Sequence, residues 1–465
     1  MTETKTAKPA MLPLPDAVAR LLATISPRLQ LHTETLSISA ALDRTLAADV
    51  VSPLAVPLAT NSAMDGYALR FADVTADPAR RWPVVGQSLA GHPFAGEVPP
   101  GCCIRITTGA VVPDELDTVV MQEDTQLDSQ SGSEDTHRNI GGSEDTHRNI
   151  VSEDTHPIGK TQDTHQNFGY NSLVLKRRPV AGQHIRLRGS ELEPGQLVLQ
   201  KGTVLGPLQL GLLATLGIAS VPVFLPVRVG VLSSGDELKQ PGETLRPGDL
   251  FDSNRIMLLS VLQRFGCAVT DLGWVADDPL ALRTLLQQAA AQVDVIVTSG
   301  GVSVGDADYT RQVLAELGQM DFWQVAIKPG KPFAFGWLQR QGNAAAAAPV
   351  WLFGLPGNPV SAAVTCEQLL LPALKLLSGQ SVTAAKLWPA RAGVALKKKP
   401  GRLDMQRVSF TVGADGIVAE PVGLDSSGML TSLLHADALL QLEQERGDVA
   451  AGEPVLLQPK SHWWL

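Results

Sequence analysis

Cysteine is scarce in this chain of 465 residues: Cys102, Cys103, Cys267 and Cys366 show neither CxxC spacing nor a secretory disulfide framework. Two of the four are immediate neighbours, so a reduced, cytoplasmic setting is expected and the fold has to stand without cross-links. No apolar run reaches membrane-spanning length, and the opening MTETKTAKPA lacks the apolar segment of a signal peptide, so neither a membrane nor export is expected. Positive charge is in deficit, 38 Lys and Arg against 47 Asp and Glu, which argues against a nucleic-acid partner gripped by a broad basic face. Walker A, GxGxxG, the serine-esterase elbow, the zincin motif and a cysteine triad are all missing. A plain ATPase or NAD enzyme therefore has little support, and orientation, electrostatics and a metal are left as the natural mechanism. What the chain does have is 44% hydrophobic residues, enough for several domains with real cores.

The most informative stretch runs from Val293 to Thr310, VDVIVTSGGVSVGDADYT. Val293, Val295, Ile296 and Val297 have no polar helical face and end abruptly in Ser299, Gly300 and Gly301, the pattern of a buried parallel strand feeding a ligand loop. Gly300, Gly301 and Gly305, with Ser303 among them, leave backbone amides free to approach an anion. Asp306 and Asp308 follow at once and would repel a bare phosphate unless a divalent cation lies between, so the loop reads either as phosphate plus magnesium or as a tight turn with a capping Asp.

Around it the chain predicts an α/β multidomain protein. Helices are expected at Leu14–Ile25 and over Ile38 to Leu46. β pieces are expected near Pro83–Ser88, Cys102–Thr107 and Leu173–Arg178, and a further helix over Pro207–Leu216 with Leu208, Leu212 and Leu216 on one face. From Pro226 strands alternate with helices, the sign of a parallel sheet. Its strand ends gather Ser233–Glu237, Asp277, Asp278 and the 299–308 loop at one edge. A helix is expected near Arg311–Leu317 and an extended linker at Ala344–Ala348. Lys328 and Lys331, stiffened by Pro329 and Pro332, read as a phosphate counter-charge or as a surface turn. Arg391–Leu396, Met405–Thr411, Ile417–Pro421 and Glu453–Gln458 read as a last β domain. The expected domains are 1–53 with 181–220 (helical, discontinuous), 54–180 (an inserted β domain), 221–378 (central parallel α/β) and 379–465 (small, β).

Ser131 to Phe168 breaks this pattern: GSEDTHRNI occurs twice, EDTH a third time and QDTH after it, placing His137, His147, His156 and His165 near aspartates. Imidazole and carboxylate suit zinc, nickel or copper, but units nine or ten residues apart need not converge, and so polar a segment reads as a surface excursion.

NSAMDGYA, CIRITTGA, VLSSGDEL, SGGVSVGDADY, IKPGKPFAFG and GLPGNPVSA, in this order, resemble the molybdopterin molybdenumtransferase family, to which the enzymatic domain of gephyrin also belongs. The resemblance covers nearly the whole chain apart from the repeat. It implies a cytoplasmic homodimer of four-domain subunits that inserts molybdate into adenylylated molybdopterin with magnesium and releases AMP. Molybdopterin adenylyltransferase and molybdoenzyme-maturation proteins are the implied partners. It assigns catalytic roles to Asp65, Thr108, Glu191, Glu237 and Asp308. Cofactor-binding roles fall to Arg186, Arg188, Ser299, Gly300, Gly301, Ser303, Gly305, Lys328, Lys331, Pro356 and Pro359, and magnesium ligation to Asp236, Glu237, Asp306 and Asp308. Where some relatives read RRRGED this chain reads RLRGSE, so the acidic role passes to Glu191; the repeat is not part of the family pattern. Adenylyl transfer onto molybdopterin, a gephyrin-like scaffold and a generic phosphotransferase are the alternatives.

Overall fold

The computed structural model describes residues 11–77, 79–129, 171–300, 313, 315–340, 348–423, 426–461 and 464. The chain forms two units, Val51–Val198 and the remainder on either side of it. The stretch 181–220, expected to complete the N-terminal domain, is therefore shared out. Ile185–Arg186 pairs with Asn61–Ser62 inside the second unit, while Ser220–Phe224 pairs with Thr33–Ser37 in the first.

Helix α1 (Leu14–Ile25) forms because prolines set its entry and Ala17, Leu21 and Ile25 recur every four residues, all wholly buried. Strand β1 (Thr33–Ser37) follows. The helix expected over Ile38 to Leu46 does not form. Ile38–Ala40 makes a single 3-10 turn and Asp43 adopts φ 60°. The amides of Asp43 and Leu46 donate to the carbonyls of Leu205 and Thr203, so this backbone is satisfied by a distant segment instead of its own preceding turn.

The second unit contains β2 (Gly66–Leu69), α2 (Phe71–Ala76), β3 (Trp82–Ser88), β4 (Cys103–Ile106), β5 (Thr118–Met121), β6 (Thr125–Ser129) and β7 (Asn171–Leu175), with sheet order β5-β2-β4-β3-β7-β6. The two-residue period of a strand divides its side chains: Tyr67 and Leu69 pack with Trp82 and Leu173, while Ala68 packs with Ile104 and Val119 on the opposite face. β6 and β7 are an antiparallel pair ending with Ser129 opposite Asn171. The repeat, Ser131 to Phe168, and its four histidines lie outside the described residues.

In the first unit, α3 (Pro207–Thr215) leads to β8 (Ser220–Phe224), the partner of β1. Only part of the expected face of α3 is buried: Leu216 is, together with Leu213, Leu212 is half-buried, and Leu208 is 85% exposed. A helix this uniformly apolar has no periodicity with which to choose a face. The central sheet then forms from β9 (Arg228–Ser234), α4 (Ser253–Arg264), β10 (Ala268–Val275), α5 (Pro279–Gln292), β11 (Val295–Ser299), β12 (Gly318–Gln324), β13 (Pro332–Leu338) and β14 (Val350–Leu355). Its order is β10-β9-β11-β14-β13-β12. The first four strands run parallel, as expected for a sheet with crossover helices. β13 and β12 add antiparallel at one edge, so the whole sheet is mixed. Of the expected helix near Arg311–Leu317, Val313 and residues 315–317 are described and helical; 341–347, holding most of the expected linker, lie outside.

Phe335 stacks on Trp351 and meets Phe353 with ring centroids 5.8 and 5.2 Å apart, inside a core that also takes the buried face of α1. Helix α6 (Pro359–Thr365), a π-helical turn (Cys366–Leu370) and α7 (Leu371–Leu377) run on from β14. Pro359–Leu377 is long and apolar enough to cross a membrane, contrary to the reading of the sequence. It is 72% buried inside the protein, where core packing accounts for its apolarity.

The C-terminal part contains β15 (Trp388–Ala392), β16 (Leu403–Gly413), β17 (Gly416–Pro421), α8 (Leu430–His435), β18 (Ala438–Leu442) and β19 (Pro454–Pro459). The strands pair in the order β16-β17-β15-β19-β18, and β18 returns to β16, so the ring closes and no edge is left among the five. The short strand Ile327–Lys328 lies parallel to the start of β16.

Candidate functional site

The carboxyl ends of the parallel strands carry the motif loops, as the strand-end rule requires. Gly300 has φ 90°, and a Cβ there would sit 2.6 Å from the Ser234 carbonyl oxygen, so glycine is required where the loops after β9 and β11 approach each other. The Gly300 amide donates to Leu355 O at 3.2 Å, which fastens this turn to the end of β14. Pro356 is buried, Gly357 and Asn358 are more open, and Pro359 begins α6. The structure thus brings together Ser299, Gly300, Pro356 and Pro359. Gly301, Ser303, Gly305, Asp306 and Asp308 lie outside the described residues.

On the neighbouring strand end, Asp236 is exposed and Glu237 follows it; Asp236 Oδ1 accepts the Asp277 amide at 3.1 Å. Asp278 serves the fold: its side chain accepts the Leu280 amide and caps α5. Among the described residues no group of three or more His, Cys, Asp or Glu side chains forms a metal cluster. Lys328 and Lys331 flank a tight turn that needs Gly330 at φ 107°, where a Cβ would meet the Thr365 methyl at 2.7 Å. This holds the turn against α6. Lys328 Nζ donates to Asp404 Oδ2 at 3.2 Å; Lys331 is half-buried.

Several residues here escaped the reading of the sequence. Asp404 is 3% exposed and faces Lys328 across the short parallel pairing, and its Oδ1 has no partner among the described residues. Arg407, also 3% exposed, donates to Ser432 Oγ and Ser426 O, and the Val360 amide at the start of α6 donates to Ser427 O. A charged residue breaking the apolar alternation of β16 was the available signal. The first turn of α4 was legible as helix only.

The second unit holds the other expected residues. Asp65 lies in the turn before β2. Gly66 follows it, where a Cβ would be 1.9 Å from Val120 O, so the chain can pass only as glycine. Both the amide and the hydroxyl of Thr108 donate to Asp65 Oδ1, at 2.6 and 2.8 Å. These two bonds hold the exposed Asp65 carboxyl below its usual value of 3.8, with a smaller contribution from Arg105. Asn61–Ser62 connects this turn with the arginine pair: Gly109 N donates to Ser62 O on one side, and Ile185–Arg186 pairs with it on the other. Arg186 and Arg188 are exposed. Glu191, exposed too, lies further along, its amide bonded to Val56 O.

With this geometry established, comparison with known proteins is decisive. A molybdopterin molybdenumtransferase of Haemophilus influenzae is 37% identical over 97% of this chain and 99% of its own length. The chain belongs to the molybdopterin molybdenumtransferase family. The family description of the MoeA N-terminal region (domain I and II) matches residues 12–217, that of a probable molybdopterin binding domain 230–376, and that of the MoeA C-terminal region (domain IV) 389–460. A molybdopterin molybdenumtransferase of a Nostoc species is 31% identical over 96% of this chain and 94% of its own. The crystal structure of a molybdopterin biosynthesis moeA protein from Pyrococcus horikoshii OT3 superimposes with a TM-score of 0.73 at 25% identity, covering 97% of this chain and 100% of that one. In the molybdenumtransferase frame, the Asp65–Thr108 pair falls in the region of domains I and II. The strand-end turns fall in the molybdopterin-binding region, and Asp404 and Arg407 in domain IV.

Proposed function

We propose that this chain inserts molybdate into adenylylated molybdopterin, releasing AMP and molybdenum cofactor, with magnesium assisting. A molybdopterin molybdenumtransferase-type activity in molybdenum cofactor biosynthesis rests on end-to-end agreement with curated transferases. In this proposal the turn at Ser299 and Gly300 and the loop through Gly305 take the phosphates, with Pro356 and Pro359 shaping the opposing wall. Lys328 and Lys331 counter the anionic charge. Hard carboxylate oxygens suit magnesium, and Asp236 and Glu237 stand together at a strand end where Asp236 accepts the Asp277 amide through Oδ1. Together with Asp306 and Asp308 they are the residues that would hold it, and the ion would supply charge compensation at phosphate.

Asp65 is proposed to act as an ionised anchor. With its carboxyl held low by Thr108 it is a poor proton acceptor near neutrality, and its Oδ2 remains to orient a donor. Arg186 and Arg188 would attract the anionic substrate, with Glu191 as their acidic neighbour. We further propose a cytoplasmic homodimer: Leu250, Ile256 and Phe251, 60%, 49% and 44% exposed, supply apolar surface of the kind a second copy covers. The deciding assay supplies purified protein with adenylylated molybdopterin, magnesium and molybdate, then follows AMP release and reconstitution of a cofactor-free molybdoenzyme. Reconstitution coupled to AMP release is the expected result. Hydrolysis without reconstitution refutes the transferase reading, and consumption of ATP with bare molybdopterin favours adenylyl transfer.

A further inference from the structure

Asp252, Asn254 and Arg255, at the start of α4, are polar side chains only 3%, 7% and 5% exposed. Each is tied to a different part of the parallel sheet. Asp252 Oδ1 accepts Ser233 Oγ, near the end of β9, at 3.0 Å. Arg255 bonds Asp252 and reaches Asp271 of β10 at 2.7 and 2.6 Å. Asn254 Nδ2 donates to Ser299 Oγ, the last side chain of β11, at 2.9 Å and to Gly357 O, just beyond β14, at 2.7 Å. The carbonyl can only accept, so the orientation of this amide is fixed. Its Oδ1 is buried without a partner among the described residues. A buried amide oxygen left bare is costly, and such groups persist where function requires the arrangement that creates them.

We infer that Asn254 is a positioning residue for the proposed reaction: one side-chain amide sets the spacing between the Ser299–Gly300 turn and the Pro356–Pro359 turn, and thereby the fit of the phosphate-bearing pterin substrate. The inference rests on the proposed transferase reading for its substrate, but the tether itself does not. Asn254 bridges the two turns through its side chain, and the Gly300 amide on Leu355 O links them through the backbone. Loss of Asn254 leaves both turns attached to their strands and loosens them with respect to each other.

The test compares wild type with Asn254→Ala, Asn254→Asp and Ser299→Ala, using hydrogen exchange on the free protein and steady-state kinetics. Asn254→Ala is expected to accelerate exchange about tenfold in peptides covering 295–300 and 355–360 while leaving 229–232 unchanged. KM for adenylylated molybdopterin rises about tenfold and KM for molybdate stays within about twofold. Asn254→Asp is worse than Ala, since it sets a carboxylate against the Gly357 carbonyl. Ser299→Ala, which removes one anchor, perturbs only the 295–300 peptide and covers the case in which Asn254→Ala does not fold. Unchanged exchange at both turns, an unchanged pterin KM, or a uniform loss across all peptides and both KM values overturns the inference. If wild type shows no molybdate insertion while the exchange pattern appears as described, the transferase reading fails and the tether stands.

Discussion

At the scale of single residues, Asp65 and Thr108 allow a clean separation of effects, because both hydrogen bonds land on one oxygen and the hydroxyl can be removed without the amide. Thr108→Val makes that change. The Asp65 carboxyl should rise toward 3.8 while staying below it, since the amide bond is the larger cause of the shift. Carboxyl-carbon NMR titration measures this, and an unmoved titration would show that the hydroxyl bond does not form in solution. Asp65→Asn should spare binding of adenylylated pterin and lower molybdate insertion by about ten- to a hundredfold, as for a group that orients without touching the phosphate. Asp404→Asn probes the counterpart in domain IV. Removing one partner of a buried pair commonly costs about 3–5 kcal/mol, but Lys328 keeps 37% of its side chain exposed and can turn to water. A cost of about 1–2 kcal/mol in urea unfolding is therefore expected, together with a higher KM for adenylylated molybdopterin, because Lys328, the proposed counter-charge to its phosphates, loses a contact that aims it.

At the scale of elements, the joint between β9, β11 and the chain beyond β13 depends on Asp294. Burial pushes its carboxyl up, but paired hydrogen bonds from Arg228 and a contact from Arg340 outweigh that and hold it below 3.8. A carboxyl lowered by folding adds stability above its unfolded value, and the contribution disappears as pH falls through the folded value. Asp294→Asn should thus cost about 1 kcal/mol at neutral pH after screening, and the variant should lose less than wild type as pH drops below 3.8 in urea titrations. The hairpin β6–β7 makes a second prediction. With Ser129 opposite Asn171, deleting Ser131–Phe168 and joining the ends by a Gly-Ser turn leaves the ladder whole. Each halving of a loop returns about 0.6 kcal/mol, so stability should rise by about 2 kcal/mol at most, with turnover unchanged. Loss of turnover would give the repeat a role in the site. These elements also mark what a sequence can disclose. β11 and the turn at Gly300 were legible because a short Val/Ile run ending in Ser-Gly has one common meaning, and α1 because its apolar spacing matches one face. The lost helix at Ile38–Leu46 and the Asn254 and Asp404 contacts were not legible. Each depends on a partner more than forty residues away, which local pattern does not encode. The exposure of Leu208 on α3 escaped for a different reason, since the leucines lie all round the helix and leave packing to choose among them.

For the whole molecule, the division into two units implies that each can stand alone. Val51–Val198 has its own cores on both faces of its sheet, around Trp82 and Leu173 and around Ile104 and Val119. Its ends meet within it: the Ser52 amide donates to Gln196 O at 2.8 Å and the Gly195 amide to Ser52 O at 2.7 Å. The other unit closes its own gap in the same way, through Gly202 N to Leu46 O at 2.8 Å, Leu46 N to Thr203 O at 2.9 Å and Lys201 N to Asp49 Oδ1 at 2.7 Å. A segment whose entry and exit are already neighbours loses little chain entropy on excision. The fragment 51–198 should therefore fold with one cooperative thermal transition and dispersed amide resonances. The remainder, with Val50 joined to Leu199 by a short Gly-Ser linker, should keep the central sheet and bind adenylylated pterin without inserting molybdate, since Asp65 and Thr108 leave with the excised unit. Calorimetry and NMR on the two halves, followed by pterin binding and turnover, read all of this out. A molten fragment would mean that the second unit draws its order from the rest of the chain, and molybdate insertion by the remainder alone would remove Asp65 from the reaction altogether.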